Sequence, residues 1–410
     1  MRAVVFHAVG DIRLENVAEP KIKHATDVIV RLTASAICGT DLHMVRGTLP
    51  GMIPGTILGH EGVGIVEEVG REVTNVAVGD RVVIPSTIAC GHCSYCESGY
   101  HSQCDNANPN GPQAGTAFFG GPGGTGPFQG LQAEFARIPL ADAGLVKLPE
   151  NVTDDQAILL SDIFPTAYFA ADCAEIKAGD SVAVFGCGPV GLFAIASAVL
   201  MKAGKIFAID TLPDRLAAAD RLGAETIDFN KVNPVEAIRS KTGGIGALRV
   251  IDAVGVDAYA PDEGWISSWL PSAERTRHAE QVNMVAPTTR PKDGNWVPGN
   301  APSQVLDWAL EVIAKAGTLS IVGVYPQKAR FFDIGTAMNK NITIQMGNCP
   351  HRKYLPHLVQ LVHTEQIDPL AVIPARQEPL IDVLQAYKEF DKRKSGWIKV
   401  ELELPVNSAT

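Results

Sequence analysis

Residues 90–104 read CGHCSYCESGYHSQC, with four of the chain's eight cysteines in one short loop. Cys90-x2-Cys93-x2-Cys96-x7-Cys104 places four thiolates on tight turns, a spacing that closes tetrahedrally around zinc. A reducing compartment disfavours the alternative of disulfides, and iron–sulfur runs use a different last gap or a trailing proline. A shell of four thiolates leaves no position for a substrate, so this loop is expected to brace the fold. A second set is scattered: Cys38 in ICGTDLHMVRG, His60 in GHEGVG and Asp162 in LSDIFPTAY. A thiolate, an imidazole and a carboxylate would hold zinc by three ligands and leave the fourth position open, as catalytic sites do. Each also has a plain explanation: Cys38 as a small buried residue, His60 as a satisfied loop histidine, Asp162 as a helix cap.

A third signal is SVAVFGCGPVGLFAIASAVLMKAGKIFAID, residues 181–210. A β-rich run ends at Phe185, Gly186-x-Gly188-x-x-Gly191 follows, Pro189 and Val190 open an apolar helix to about Lys202, and another strand ends at Asp210. Gly186 would make the tight turn, Gly188 would admit a pyrophosphate and Gly191 would let the helix pack on the strand. The helix N-terminus then faces the phosphates. Asp210, 19 residues past Gly191, stands where an acid takes the adenosine ribose hydroxyls and repels a 2′-phosphate, which favours NAD over NADP. A solvated turn is the plain reading of Asp210, and Arg215 stands close enough in sequence to compensate a phosphate.

These segments need a doubly wound parallel α/β sheet to position them. Residues 248–255, 317–325 and 341–347 read as further buried strands, with helices at 214–222 and 305–316. From Val256 to Gly299 the periodicity disappears, as a lid, an insertion or surface decoration would have it. MRAVVFHAVGDIRLENV alternates like a strand pair, with no signal peptide. The glycine-rich run 115–130 lacks the GK[ST] ending of a phosphate loop and is expected to be irregular. The net charge of −10 argues against nucleic acid or an anionic membrane as partner. The longest apolar stretch is broken by GCGPVG, so no membrane span is expected and the chain reads as cytoplasmic. His7, His24, His92, His101, His278, His351, His357 and His363 show no metal spacing and are read as structural or exposed.

Taken together, the motifs resemble the zinc-dependent medium-chain alcohol dehydrogenase family over nearly the whole chain. The resemblance implies a GroES-like β-rich catalytic domain (1–162, with the structural-zinc lobe, and 348–410) around a Rossmann NAD-binding domain (163–347, insertion about 256–300). It implies Cys38, His60 and Asp162 as catalytic-zinc ligands beside Glu61, an occasional ligand, and Cys90, Cys93, Cys96 and Cys104 as the structural-zinc set: two zinc ions per chain. By the same carry-over Thr40 takes the alcohol proton, His43 carries it onward and Asp41 orients the His60 imidazole. Thr166 lies near the nicotinamide, backbone at Val322 to Val324 receives its carboxamide, and Arg352 reaches the pyrophosphate or a solvated face. Aspartate as third ligand is similar to the glutathione-independent formaldehyde dehydrogenases and related dismutases, whose insertion can hold NAD tightly. Ser86 stands where relatives often carry a bulky aromatic in the pocket wall, leaving room for more than formaldehyde.

The expected activity is hydride transfer between a small or medium alcohol or aldehyde and NAD. The alternatives are a formaldehyde dehydrogenase or dismutase that retains its cofactor, and a noncatalytic NAD-binding protein. Against the last stand Cys38, Thr40, His43, His60 and Asp162, all intact. A homodimer or homotetramer is implied, with NITIQMG as a candidate edge strand.

Overall fold

A computed structural model describes residues 1–111, 113–261, 272–289 and 294–404. The chain divides into two compact units: Met1–Pro165 with Arg290–Trp296 and Asn348–Thr410, and Thr166–Thr289 with Val297–Gly347.

The first unit is built on Val28–Ile37, VIVRLTASAI, whose β-branched residues suit a pleated, buried surface. It pairs antiparallel with Gly62–Val69, Phe135–Ile138 and Val400–Glu403 within a seven-stranded sheet. The N-terminal strands Arg2–Ala8 and Asp11–Asn16 form the expected antiparallel pair. Register brings distant sequence together. Ser35 lies opposite Gly62, so Cys38 emerges from one strand where His60 and Glu61 enter the next. Ile37 lies opposite Val400, which brings Lys399 to the same end, and Gly62 lies opposite Ile84, two residues before Ser86.

In the second unit six strands run parallel: Ser181–Phe185, Lys205–Asp210, Glu225–Asp228, Ala247–Asp252, Ile313–Ile321 and Thr343–Met346. Their order in space is third, second, first, fourth, fifth, sixth, the doubly wound order with a switch point between Ser181–Phe185 and Ala247–Asp252. Helix Pro189–Leu200 buries Leu192, Phe193 and Ile195 completely, each contributing about 1.5–3 kcal/mol relative to exposure.

Two expectations need correction. The strand placed at 317–325 begins at Ile313, directly after helix Gln304–Val312, so the helix is shorter than 305–316. The aperiodic stretch after Val256 contains helix Ser272–Val285. Its sequence, SAERTRHAEQVNMV, is rich in Ala, Glu, Arg and Gln, good helix formers, but carries no apolar stripe to announce it. Residues 262–271 and 290–293 of that stretch lie outside the described residues. Among the described residues no helix is long and apolar enough to cross a membrane.

Candidate functional site

Cys38 caps helix Gly39–Arg46, and its N–H donates to Asp41 Oδ2 at 3.0 Å. That bond turns the first helical residues, Thr40 and Asp41, back toward the cysteine. The far end of the helix is held by the buried pair Arg46–Asp391, Nη2 to Oδ1 2.8 Å. Asp391 also accepts from the Trp296 N–H and the Asn295 amide. Asp162 follows helix Asp154–Ser161, and Ser161 fixes it: the Gly62 N–H donates to Ser161 Oγ at 3.0 Å, and that hydroxyl donates to the Ile84 carbonyl at 2.5 Å.

The result is a convergence of Cys38, His60, Glu61 and Asp162, each offering a ligand atom within 4.8 Å of the others. Asp162 Oδ2 lies 3.6 Å from His60 Nε2 and 3.8 Å from Cys38 Sγ. Ligands about 2.0–2.3 Å from a tetrahedral zinc sit roughly 3.3–3.8 Å from one another, so these spacings match an ion at the centre. His60 Nδ1 is 3.4 Å from Asp41 Oδ1, and neither atom has another hydrogen-bond partner. Such an imidazole, backed by a carboxylate, keeps Nε2 for a metal. Burial depresses His60, yet the Asp41, Asp162 and Cys38 groups outweigh it and lift the imidazole well above its ordinary value. Burial alone would raise Asp162, but hydrogen bonds from His351 and His60 hold it well below the usual carboxylate range. Burial pushes the Cys38 thiol up. The donor set fits zinc.

Glu61 has a partner of its own. Lys399 Nζ lies 2.6 Å from both of its oxygens and 3.2 Å from the Ile37 carbonyl, in a pair almost entirely shielded from solvent. Breaking one side of such a pair costs about 3–5 kcal/mol, so Glu61 sits in the cluster with both oxygens tethered to Lys399.

Cys90, Cys93, Cys96 and Cys104 form the second cluster. All eight cysteines are free, and the Cys93 and Cys104 sulfurs are 3.9 Å apart, far beyond a disulfide but close to the roughly 3.8 Å edge of a zinc–thiolate tetrahedron. The Cys90 N–H donates to Cys104 Sγ, and the Asn106 amide to Cys90 Sγ. Slight burial works upward on Cys93, but backbone N–H groups and neighbouring sulfurs bring it down to about 6, while burial raises Cys96 and Cys104. Cys93 ionises readily, whereas Cys96 and Cys104 are held toward the thiol form unless a cation shares their charge.

In the second unit Gly186 adopts φ 87°, a left-handed turn open to glycine. A Cβ on Gly191 would lie 1.8 Å from the Gly186 carbonyl oxygen, so only glycine lets the helix pack there. Gly188 caps the helix and Pro189 occupies its first turn, with Val190 next. Asp210 is buried rather than solvated: Oδ2 accepts from the Cys187 N–H at 2.8 Å and Oδ1 from those of Thr211 and Leu212. Arg215 Nη1 stands 3.9 Å from Asp210. The Val322 and Gly323 N–H groups go to the Asp252 carbonyl, and the Val324 carbonyl takes the Val256 N–H. Thr166 is half-buried on helix Ile163–Cys173.

Thr40 is half-buried in the first turn of its helix; His43, one turn on, is buried with Nδ1 2.8 Å from Thr48 Oγ1. Arg352 is half-buried. Its guanidinium donates to the Leu145 carbonyl at 3.2 Å, because the first turn of helix His351–His363 presents it to that loop. Ser86 is more than a small wall residue, since its hydroxyl donates to Asp162 Oδ1 at 2.9 Å. His351, read as structural or exposed, is buried with Nε2 2.7 Å from the same oxygen. Spacing missed it because it binds a ligand, not the metal position, and lies 189 residues from Asp162. Lys399 and Gln132, which bridges Asp41, Ala36 and Tyr387, were missed for the same reason.

Comparison with known proteins agrees with this geometry. Residues 24–150 match the alcohol dehydrogenase GroES-like domain and residues 189–262 the zinc-binding dehydrogenase family. A zinc-type alcohol dehydrogenase-like protein of Bacillus subtilis is 36% identical over 407 residues, covering 98% of this chain and 100% of its own length. This chain belongs to the zinc-type medium-chain alcohol dehydrogenase family. The glutathione-independent formaldehyde dehydrogenase of Pseudomonas aeruginosa is 33% identical over 403 residues, 95% of this chain and 94% of the relative. Among solved structures, alcohol dehydrogenase TADH from Thermus sp. ATN1 superposes with a TM-score of 0.78 at 32% identity, covering 99% of this chain and all of that one. Membership of the family makes the chain an oxidoreductase of small molecules, with a GroES-like domain and a Rossmann domain.

Proposed function

We propose that this dehydrogenase transfers a hydride between a small or medium alcohol or aldehyde and NAD. The observation that carries the reading is the approach of Cys38 Sγ and His60 Nε2 to one oxygen of Asp162, with Glu61 tethered by Lys399. Cys38, His60 and Asp162 would hold the catalytic zinc, and Cys90, Cys93, Cys96 and Cys104 a structural one. When bound, the zinc supplies Lewis-acid polarisation of the substrate oxygen and NAD accepts the hydride. The Thr40 hydroxyl relays the substrate proton, accepting it as its own passes on toward His43, one helical turn along. Asp41 holds the His60 ring in place.

On the cofactor side, Gly186, Gly188 and Gly191 admit the pyrophosphate at the N-terminus of helix Pro189–Leu200, where Pro189 and Val190 line the approach. Asp210 supports NAD over NADP: its carboxylate is fixed by three N–H groups and would repel a 2′-phosphate, although Arg215 beside it softens that charge. Thr166 is assigned to the nicotinamide. With the neighbouring amides engaged, the Val322 carbonyl and Val324 N–H are assigned to its carboxamide. Arg352 is assigned, as in the family, to the pyrophosphate or to a solvated face, with one guanidinium nitrogen on the Leu145 carbonyl. The unit carrying the metal cluster is the catalytic domain and the parallel-sheet unit the coenzyme domain. Eight free thiols suit a cytoplasmic enzyme.

Asp162 as third ligand and the formaldehyde dehydrogenase relative favour one second reading, oxidation of aldehyde hydrates with retained NAD. A panel of alcohols and aldehydes, assayed with NAD and with NADP, separates the two. Turnover of several alcohols with added NAD supports the first. Co-release of NAD on denaturation, with formaldehyde turned over without added cofactor, supports the second. Failure of every substrate in zinc-loaded protein contradicts both.

A further inference from the structure

The two oxygens of Asp162 face different neighbours. Oδ2 faces the metal cluster, with His60 Nε2 at 3.6 Å and Cys38 Sγ at 3.8 Å. Oδ1 points away and receives His351 Nε2 at 2.7 Å and the Ser86 hydroxyl at 2.9 Å. A carboxylate only accepts, so His351 must carry its proton on Nε2. Thr87 Oγ1 lies 3.1 Å from its Nδ1 and 3.5 Å from the Cys349 carbonyl. Ser86 Oγ and His351 Nε2 are themselves 3.1 Å apart, so the two donors crowd the same oxygen. His351 is 2% exposed and Ser86 4%, a setting in which hydrogen bonds to a charged group are stronger than those between neutral groups. The imidazole is the first residue of helix His351–His363, and the preceding turn is fastened by Asn348 Nδ2 to Thr116 Oγ1 at 2.7 Å. The His351 ring is therefore held from three sides.

A carboxylate free to rotate can bind a cation with one oxygen or with both. Binding with both would fill the position a substrate oxygen needs. We propose that His351 and Ser86 are positioning residues that sequester Asp162 Oδ1, force one-oxygen ligation and so keep the fourth position of the site open. Thr87 braces the other ring nitrogen of the same imidazole. Lys399 does the equivalent for Glu61, so both carboxylates beside the site are restrained by donors outside it. The inference rests on Cys38, His60 and Asp162 being the metal ligands.

The test uses cobalt-substituted full-length protein, because visible cobalt bands are intense at four-coordinate sites and weak at five-coordinate ones. Subtracting the spectrum of Cys38→Ser isolates this site from the cysteine loop. The expected result is a four-coordinate difference spectrum for the wild type that weakens several-fold in His351→Ala and in the double variant Ser86→Ala/His351→Ala. Metal affinity, read by chelator competition, should fall by roughly 10–100-fold. His351→Gln, which keeps an N–H donor, should restore most of both, while the melting temperature of the variants separates this from unfolding. Unchanged bands and affinity in folded His351→Ala would overturn the proposal, as would a wild-type spectrum showing His351 itself bound to cobalt. A wild type indistinguishable from Cys38→Ser would remove the metal assignment itself, and the proposal with it.

Discussion

At the scale of single residues the Asp41 carboxylate, 3.4 Å from His60 Nδ1, is predicted to set the zinc affinity of the catalytic position. Cys38, His60, Asp162 and the four loop cysteines were legible because zinc accepts few donors and the fold must bring them together. Their supporting partners were not, since a hydrogen-bonding histidine or serine looks like any other. His351, Ser86, Gln132 and Lys399 acquire their roles from neighbours supplied by other strands and helices. Asp41, expected behind His60, lies beside its imidazole and gives a sharp prediction. Asp41→Asn keeps the shape but removes the charge 3.4 Å from His60 Nδ1. Zinc affinity at the catalytic position is expected to fall by about 10–100-fold, with the cysteine site unaffected. Competition with a chromogenic chelator, comparing fast and slow zinc release, checks it; equal affinity in both proteins would contradict it.

At the scale of elements, apolar runs and the glycine signature located five of the six parallel strands and the cofactor-loop helix, while the short Glu225–Asp228, ETID, was not read. Helix Ser272–Val285 escaped because a polar helix has no periodic stripe, and the start of the strand at Ile313 was misplaced because helix Gln304–Val312 runs directly into it. Strand Val400–Glu403 carries a testable burden. Burial, with Asp155, Glu403 and Asp154 nearby, raises Glu401 to about 8, and its Oε2 has no hydrogen-bond partner. A carboxyl raised on folding binds its proton more tightly in the native state, so it favours the fold below about pH 4.5 and loses that contribution as pH rises toward 8. Glu401→Gln should therefore melt higher than the wild type at alkaline pH, by an amount on the order of 2 kcal/mol, and the gap should close as the pH is lowered toward 5. Melting curves across that range decide the matter. A constant gap, or one of opposite slope, would show that Glu401 does not ionise in this way.

At the scale of the whole molecule, net charge, motif order and the absence of an apolar span anticipated the class of protein, whereas assembly was visible only as a family expectation. Strand Thr343–Met346 is the last of the parallel sheet. Beside it Phe332, Ile334, Ala337, Met338, Asn341, Ile342 and Ile344 line a groove of about 350 Å³, with Ile334, Met338 and Met346 exposed. An open strand edge flanked by apolar side chains favours pairing with a second copy. Met338→Lys combined with Met346→Lys is expected to shift the particle mass in light scattering toward the monomer, and an unchanged mass would assign the assembly to another face. The central claim is nonetheless the metal one: distant thiolate, imidazole and carboxylate share a single zinc, separate from that of the cysteine loop. Elemental analysis of zinc per chain in the wild type and in Cys38→Ser tests it most directly. The account predicts two ions in the first protein and one in the second; the same zinc content in both would contradict it.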